Sequence, residues 1–371
     1  MGLRNIGSSG IVVPAIGIGT AGFGAAGDKS SFHKSVRIIR SAVELGISFI
    51  DTAEAYEDGN SERVVGEAIH TIRDKVFIAT KFSPQHSTPD ELTKALENSL
   101  RRLETEWIDL YQMHWTNPSI PMAETMRMLE KFVDSGKIRL VGLCNASVRD
   151  AKMALSSLSA ITKFGTIQNE YNLSERSSED DVIPLCRERR ITFVAHTPLC
   201  HGSILERDSR VSLIAPIADH YGITVAQLML CWVIRDNQTL AIPRTISERH
   251  LRENAEVVDI KIDQRDLDRV SEVFKPRIVK IPPDLIEVTG DSQQDAYRTL
   301  EEAKENRFGF VPGPRELAEE ILRGTSLKHI KVRCKGTPAG PKYEVLEGKM
   351  RYWAWILAYG YSVPIPAIVQ D

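Results

Sequence analysis

Short apolar segments alternate along the chain with amphipathic ones. Eight segments rich in β-branched and apolar residues recur between residues 15 and 244: AIGIGT, SFIDTA, VFIATK, IDLYQMH, IRLVGLCN, GTIQNEY, ITFVAHT and TLAIPR. Between them, apolar residues recur at helical spacing, as in ELTKALENSL. Continuous apolar strands separated by helices are typical of a parallel sheet covered on both faces. Eight such βα units predict a closed (β/α)8 barrel, an α/β fold.

One helix start carries a specific signal. Thr88 precedes Pro89, and Glu91 follows three residues after Thr88. Proline is favoured at the first helical position, and a Thr-x-x-Glu pattern is typical of a capping box. We therefore expect Thr88 to cap this helix, with Glu91 as its reciprocal partner.

A doubly wound parallel sheet is the alternative architecture. It requires a glycine-rich turn after the first strand, and the spacing of Gly17, Gly19 and Gly22 resembles one. A single motif of this kind is weak evidence, and the strand before it is short. We expect these glycines to allow tight backbone at the strand end instead of binding phosphate.

The pattern changes after Phe274, where KPRIVKIPPDLIEV brings three prolines. We predict a barrel over residues 1–277 and a small α/β domain over residues 278–371. The second domain is expected to contain a helix around Glu316–Arg323, a strand around Ile330–Cys334 and a final helix starting near Gly348.

Composition narrows the class of partner and compartment. The chain carries 47 Lys and Arg against 50 Asp and Glu, a net charge of -3, so nothing attracts it to nucleic acid or to an anionic membrane. Five cysteines without CxxC spacing indicate reduced thiols and no predicted metal site. No run of 18 apolar residues occurs, and the first residues lack a signal-peptide pattern. We expect a cytoplasmic protein that acts on a small molecule.

Four titratable residues end successive predicted strands. Asp51 ends SFID, Tyr56 lies in the loop beyond it, Lys81 ends VFIATK and His114 ends IDLYQMH. The carboxyl ends of barrel strands form the functional face, so these side chains are expected to converge. A neighbouring Lys81 ammonium, kept charged by Asp51, should lower the pKa of Tyr56 and make it a proton donor. His114 should orient the substrate oxygen.

The order and spacing of these four residues resemble the aldo-keto reductase superfamily, as do IDTAEAY, GNSERVVGEAI, DLYQMHW, GKIRLVGLCN and IPRTISERHLRENAEVV. The resemblance covers residues 1 to about 274, in the branch with His114-Trp115 that includes sugar and inositol dehydrogenase-like members. It implies NADP(H) or NAD(H) bound without a Rossmann motif. It also implies reduction of a carbonyl, or oxidation of a secondary alcohol, on a polar, sugar-like or cyclitol substrate contacted by Tyr56, His114 and Trp115. A place in carbohydrate or secondary metabolism would follow.

The same resemblance implies a set of cofactor-binding residues. Asn145 and Gln168 match positions that bind the nicotinamide carboxamide, with Cys144 replacing the usual serine, and His196 replaces the stacking tyrosine. His250 stands where an arginine usually helps to hold a 2′-phosphate; it is mostly neutral at pH 7, which leaves NAD(H) and NADP(H) both open. The full set is Gly19, Thr20, Ala21, Asp51, Cys144, Asn145, Gln168, His196, Thr197, Pro198, Leu199, Gly202, Ser203, Ile242, Pro243, Arg244, Thr245, His250, Glu253 and Asn254.

The C-terminal segments IPPDLIEV, PGPRELAEEILRGTSLKHIKVR and YEVLEGKMRYWAWILAYGYSVPIPAIV resemble a ParB-like, sulfiredoxin-like domain. Gly348 and Arg351 at a helix start suit phosphate binding. Residues 281–371 nevertheless carry 12 Lys and Arg against 13 Asp and Glu, whereas a DNA clamp is normally basic. We expect this domain to shape the substrate pocket or a dimer contact.

Two further function classes remain open from the residues alone. One is an NAD(P)H-binding regulatory subunit with little turnover, which the intact set of four residues argues against. The other is a nucleotide- or DNA-binding protein that acts through the ParB-like domain, and homo-oligomerisation is compatible with each alternative.

Overall fold

The computed structural model describes residues 2–25, 29–117, 119–289, 297–307, 313–324, 328–337 and 340–370. The chain divides into two compact units, Met1–Phe274 and Lys275–Asp371. The first begins with an antiparallel hairpin of β1 (Leu3–Asn5) and β2 (Val12–Pro14).

Eight parallel strands follow, and each pairs with the next along the chain. They are β3 (Ile18–Gly19), β4 (Phe49–Asp51), β5 (Phe77–Phe82), β6 (Ile108–Met113), β7 (Ile138–Cys144), β8 (Phe164–Glu170), β9 (Thr192–His196) and β10 (Thr239–Ala241). Ile16 forms a parallel bridge to Ala241, and the Gly17 N–H donates to the Ala241 carbonyl at 2.8 Å. The last strand thus pairs back to the first, which confirms the predicted (β/α)8 barrel and excludes the open doubly wound sheet.

Helices connect and surround these strands. They are α1 (Lys29–Glu44), α2 (Asn60–Ile69), α3 (Pro89–Arg102), α4 (Met122–Asp134), α5 (Val148–Ser156), α6 (Val182–Arg189), α7 (Ser203–Arg207), α8 (Val211–Tyr221), α9 (Val225–Val233), α10 (Glu248–Glu256) and α11 (Gln264–Val273). Each longer helix buries one apolar face: α3, for example, buries Leu92, Ala95 and Leu96.

The capping-box prediction at α3 is wrong. Pro89 does occupy the first helical turn, but among the described residues the Thr88 side chain makes no capping hydrogen bond. Glu91 instead accepts a hydrogen bond from Lys94 Nζ at 2.9 Å. The Glu91 carboxylate is thus engaged in an (i, i+3) ion pair with Lys94 instead of in a capping box.

Inside the barrel, the inward-facing side chains change from apolar to polar along several strands. The lower layer consists of inward-facing apolar residues joined by Ile6 and Val13 from the hairpin: Phe49, Phe77, Leu110, Leu140, Val194 and Leu240. Strand side chains alternate with period two, so residues two or four positions further on face the same interior. The upper layer is polar and buried, and includes such positions together with two residues of β8 that are hydrogen-bonded to them: Asp51, Lys81, Gln112, His114, Thr166 and Gln168.

The second unit contains a five-stranded mixed sheet in the order β11-β15-β13-β14-β12. Its elements are β11 (Ile278–Ile281), β12 (Ile286–Glu287), α12 (Leu300–Glu305), α13 (Pro314–Leu322), β13 (Ile330–Thr337), β14 (Gly340–Glu347), α14 (Lys349–Tyr359) and β15 (Ile365–Gln370). Tyr297, Tyr352 and Trp353 pack in its core. The C-terminal segments that carry the ParB-like resemblance lie partly outside the described residues, at 312 and 325–327.

The arginine predicted to suit phosphate binding, Arg351, contacts other residues of the second unit. Its Nη1 donates to the His329 carbonyl at 3.0 Å and its Nη2 to Glu347 at 3.0 Å, so both ends of the guanidinium already have protein partners.

Within the described ranges, no single helix has the length and apolar character needed to cross a membrane; α8 and α9 meet that criterion only as a pair, across a bend of 93°.

Candidate active site

Lys81 is the centre of the predicted group of four residues. Its side chain is fully buried, and Nζ lies 2.5 Å from Asp51 Oδ1, 3.0 Å from the Thr52 carbonyl and 3.2 Å from the Tyr56 hydroxyl. These three oxygens surround an ammonium, which has three N–H groups to donate. The structure therefore joins Asp51, Lys81 and Tyr56 in one hydrogen-bonded unit.

The turn after β4 brings Tyr56 to this position. Asp51 ends β4, and the residues after Tyr56 take up left-handed backbone at Glu57 (φ 49°), Asp58 (φ 53°) and Gly59 (φ 83°). Left-handed conformation costs a non-glycine residue about 1–2 kcal/mol. Strain of this kind is common where a loop orients a functional side chain.

The pKa of Tyr56 differs from the expectation. Burial raises the pKa of the Tyr56 hydroxyl, and although the Lys81 charge lowers it, the net direction is upward. Burial lowers the pKa of Lys81, but the negative charge of Asp51 and its hydrogen bond to Nζ raise it by more, so the net direction of the Lys81 pKa is upward. Tyr56 is therefore held as a neutral hydroxyl beside a permanent ammonium at neutral pH.

His114 completes the group. It is 5% exposed, its ring lies edge-on to that of Tyr56 with centroids 5.7 Å apart, and it stacks on Trp115 at 3.8 Å. Burial, followed by the charges of Lys81 and His196, lowers the pKa of His114 to about 3. A neutral imidazole can hydrogen-bond a substrate oxygen, but it cannot serve as the acid at pH 7.

The predicted carboxamide-binding side chains also have partners within the protein. Gln168 Nε2 donates to Asp51 Oδ2 at 2.8 Å, and Asn145 Nδ2 donates to the His114 carbonyl at 3.1 Å. Asn145 Oδ1 lies 3.0 Å from His196 Nε2. Burial raises the pKa of the Cys144 thiol to about 12, which makes it a packed neutral side chain rather than a nucleophile.

A cavity of about 810 Å³ opens over this group. All predicted site residues line it except Lys81, which lies behind Asp51 and Tyr56, and Ser203, whose hydroxyl donates to the Cys200 carbonyl at 2.6 Å. The lining residues that sequence reasoning did not select are His201, Leu205, Glu206, Thr224, Val225, Ala226 and Arg249.

Two arginines contribute fixed positive charge to the cavity wall. Arg244 follows β10, and its guanidinium lies against Gly22, where a Cβ would be only 2.6 Å from Nη2 and where φ is +83°. Arg249, missed in the sequence, lies on α10 with Nη2 2.9 Å from His250 Nε2. Because a guanidinium can only donate, His250 Nε2 is the acceptor in this hydrogen bond.

The lining fits a nicotinamide dinucleotide. The volume lies within the range of small-molecule and cofactor sites, and guanidinium groups suit phosphate. The polar group centred on Tyr56 and the two arginines border the same cavity, as an elongated anionic cofactor with one reactive ring requires. Among the described residues, no group of three or more His, Cys, Asp or Glu side chains is arranged to hold a metal ion.

Comparison with known proteins agrees with this geometry. The model of the Aldo/keto reductase family matches residues 15–275. Methylglyoxal reductase YeaE of Escherichia coli is 34% identical over 268 residues, covering 72% of this chain and 93% of that protein. An aldo/keto reductase from Klebsiella pneumoniae, solved with NADP and acetate, is 36% identical with a TM-score of 0.69, covering 75% of this chain and 97% of that one.

A more distant structure, glycerol dehydrogenase AKR11B4 of Gluconobacter oxydans, is 25% identical with a TM-score of 0.67, covering 73% of this chain and 94% of that one. The chain belongs to the aldo/keto reductase family. It is an NAD(P)-dependent oxidoreductase that acts on carbonyl groups.

Proposed function

We propose that this enzyme reduces an aldehyde or ketone on a small polar, sugar-like or cyclitol substrate, or catalyses the reverse oxidation, with Tyr56 as general acid or base. The observation that carries the proposal is the unit of Asp51, Lys81 and Tyr56, in which the Tyr56 hydroxyl lies 3.2 Å from Lys81 Nζ at the wall of the cavity.

A bound nicotinamide cofactor supplies or accepts the hydride. Tyr56 gives its proton to the carbonyl oxygen as negative charge develops there. Lys81 stabilises the resulting phenolate, and Asp51 balances the Lys81 charge in the buried site. His114, as a neutral ring, hydrogen-bonds the same oxygen and orients the carbonyl.

The proton-donor role is tested by Tyr56→Phe in steady-state reduction of DL-glyceraldehyde with NADPH. We expect kcat to fall by roughly 10²- to 10⁴-fold, the usual contribution of a positioned acid, with NADPH affinity retained. Tyr111→Phe is the matched control, because Tyr111 is a fully buried tyrosine packed in the cluster shared with the surrounding helices. Equal rates for wild type and Tyr56→Phe would refute the role.

The polar substrate class is supported by Trp115. This indole is 48% exposed, lines the cavity and stacks on His114, so it offers an apolar face next to a hydrogen-bonding group. A polyol combines C–H faces with hydroxyls and suits such a pair. Two of the relatives are also named for small oxygenated compounds: one is a methylglyoxal reductase and the other is a glycerol dehydrogenase.

A direct comparison of aldehydes tests the substrate class. We expect kcat/KM to be higher for glyceraldehyde and methylglyoxal than for butanal, which lacks the additional oxygen atoms. Trp115→Ala should narrow the difference between glyceraldehyde and butanal. A clear preference for butanal in the wild type would contradict the proposed class.

We also propose that NADP(H) is the preferred cofactor. Arg249 adds a second fixed positive charge to that of Arg244 at the cavity wall, where the sequence analysis had identified only Arg244 as a fixed charge. Two guanidinium groups suit the dianionic 2′-phosphate that distinguishes NADP(H) from NAD(H).

A further inference from the structure

Three neighbouring strands place a polar group directly behind the active site. Gln112 on β6 is in register with Gly142 on β7, which is in register with Thr166 on β8. Gln112 is also in register with Lys81 on β5. Gln112, Gly142 and Thr166 are buried, and none of them lines the cavity.

A chain of hydrogen bonds runs from this row to Asp51. The Thr166 hydroxyl donates to Gln112 Oε1 at 3.1 Å, and Gln112 Nε2 donates to Asp51 Oδ2 at 3.4 Å. Gln168 Nε2 donates to the same oxygen at 2.8 Å, while Lys81 binds Oδ1. Both oxygens of the buried carboxylate are thus held, and the acceptor charge of Asp51 requires the Gln112 amide to present its NH₂ group.

Gly142 makes room for this row. A Cβ at this position would lie 2.6 Å from Thr166 Oγ1 and 2.9 Å from Gln112 Cγ. The lower layer fills equivalent inward positions with apolar side chains, which need no partners. Buried polar groups cost free energy unless they are fully hydrogen-bonded, so a satisfied polar row here indicates a role beyond packing.

We propose that Gln112, oriented by the Thr166 hydroxyl, is a positioning residue that holds Asp51 so that Lys81 stays against the Tyr56 hydroxyl. The inference rests on the proposed role of Tyr56 as proton donor. Gln112 acts through Asp51 and Lys81 and touches neither substrate nor cofactor.

The test uses shape-matched variants in NADPH-dependent reduction of DL-glyceraldehyde. We expect Gln112→Leu to lower kcat by roughly 10- to 100-fold, the scale of a small misplacement of reacting groups, with KM and NADPH affinity unchanged. Thr166→Val, which removes only the hydroxyl, should reproduce part of this loss. Thr166→Ser keeps the hydroxyl and should retain the wild-type rate.

The pH dependence of kcat separates positioning from packing. The Lys81 charge lowers the pKa of Tyr56, so a Lys81 that no longer stays at the hydroxyl should let that pKa rise further. The alkaline fall of kcat should therefore shift to higher pH in Gln112→Leu and Thr166→Val, but not in Thr166→Ser. If Gln112 and Thr166 served only packing, the variants would have a lower melting temperature, but the pH at which kcat falls in alkaline solution would not change.

Unchanged kcat and alkaline limb in both Gln112→Leu and Thr166→Val would overturn the inference, whatever their melting temperatures. If Gln112→Leu fails to fold, the comparison of Thr166→Val with Thr166→Ser decides it. Failure of the underlying function gives a different result: Tyr56→Phe would then be as active as the wild type. If Tyr56→Phe loses activity but Gln112→Leu and Thr166→Val are fully active, the inference about Gln112 is overturned and the proposed function of Tyr56 is retained.

Discussion

The lower and upper layers of the barrel interior both consist of inward-facing side chains, but the lower layer is apolar and the upper layer is polar. Phe49, Phe77 and Leu110 of the lower layer pack against apolar neighbours. Asp51, Lys81 and Gln112, two or four residues further along the same strands, meet only through hydrogen bonds and charge. The lower layer can therefore stabilise the barrel without chemistry, whereas the upper layer provides chemistry at a cost in desolvation.

The largest expected effect comes from breaking the buried ion pair of the upper layer. Lys81→Met should abolish most activity and also destabilise the fold by about 3–5 kcal/mol, because Asp51 is left as an uncompensated buried charge. The double variant Asp51→Asn/Lys81→Met should recover most of the stability but none of the activity. Urea unfolding and glyceraldehyde reduction measure the two properties separately.

If the double variant were no more stable than Lys81→Met, the unpaired charge would not be the cause of the loss. Recovery of activity along with stability would show that the pair serves only the fold.

The reverse pattern is expected in the lower layer. Leu110→Ala removes a fully buried side chain and should reduce the free energy of unfolding by about 2–5 kcal/mol, with kcat nearly unchanged below the melting transition. Leu213→Ala, at a leucine that is 61% exposed, is the control and should change stability little. A large loss of kcat in folded Leu110→Ala would mean that the layers are not separable.

A third prediction concerns the stability of the upper layer in acid. The pKa of His114 is lowered to about 3, whereas an unfolded histidine titrates near 6.5. Between these values the unfolded chain binds a proton that the folded chain does not, so stability falls as pH is lowered below about 6.5. The contribution of this histidine approaches about 1.4 kcal/mol per pH unit.

Urea unfolding at pH 7, 6 and 5 measures this slope. His114→Asn should flatten it, since asparagine does not titrate, and parallel curves for the two proteins would contradict the assignment. His33→Asn, at an exposed histidine of α1, is expected to follow the wild type.

The smallest effect is expected at the cavity wall. Arg249 is largely exposed, with 75% of its side chain accessible, so Arg249→Ala should raise KM for NADPH by roughly 5-fold, the scale of an exposed ion pair. KM for NADH should not change. Arg252→Ala, on the same helix but outside the cavity lining, is the control. An equal increase in KM for NADPH and for NADH would show that Arg249 does not contribute to binding the 2′-phosphate.

The fold was accessible from the sequence because each barrel strand is a short apolar run and each helix has one apolar face. The positions of Asp51, Tyr56, Lys81 and His114 followed from their location at strand ends together with the family resemblance. The helix start at Pro89 was predicted correctly, but the competition of Lys94 for Glu91 was not visible in the capping pattern.

Three features of the site could not be predicted from the sequence. The net direction of the Tyr56 pKa depends on burial, which a list of neighbouring charges does not contain. Gln112 is, besides Asp109, a buried polar residue of the predicted strand IDLYQM, and its position two residues before His114, on the same face of the strand, was the available signal. Arg249 lies next to His250, which alone matched the family position.

Tyr56, which lies in the turn beyond β4 and contacts Lys81 of the upper layer, is the proposed proton donor. The single-turnover rate of glyceraldehyde reduction by NADPH-loaded enzyme, followed from pH 5 to pH 11, tests this claim most directly. Because burial raises the pKa of Tyr56 from its ordinary value near 10, the rate should stay level through neutral pH and fall only at the alkaline end. A fall through pH 6 to 7 would assign the proton to a histidine and contradict the account.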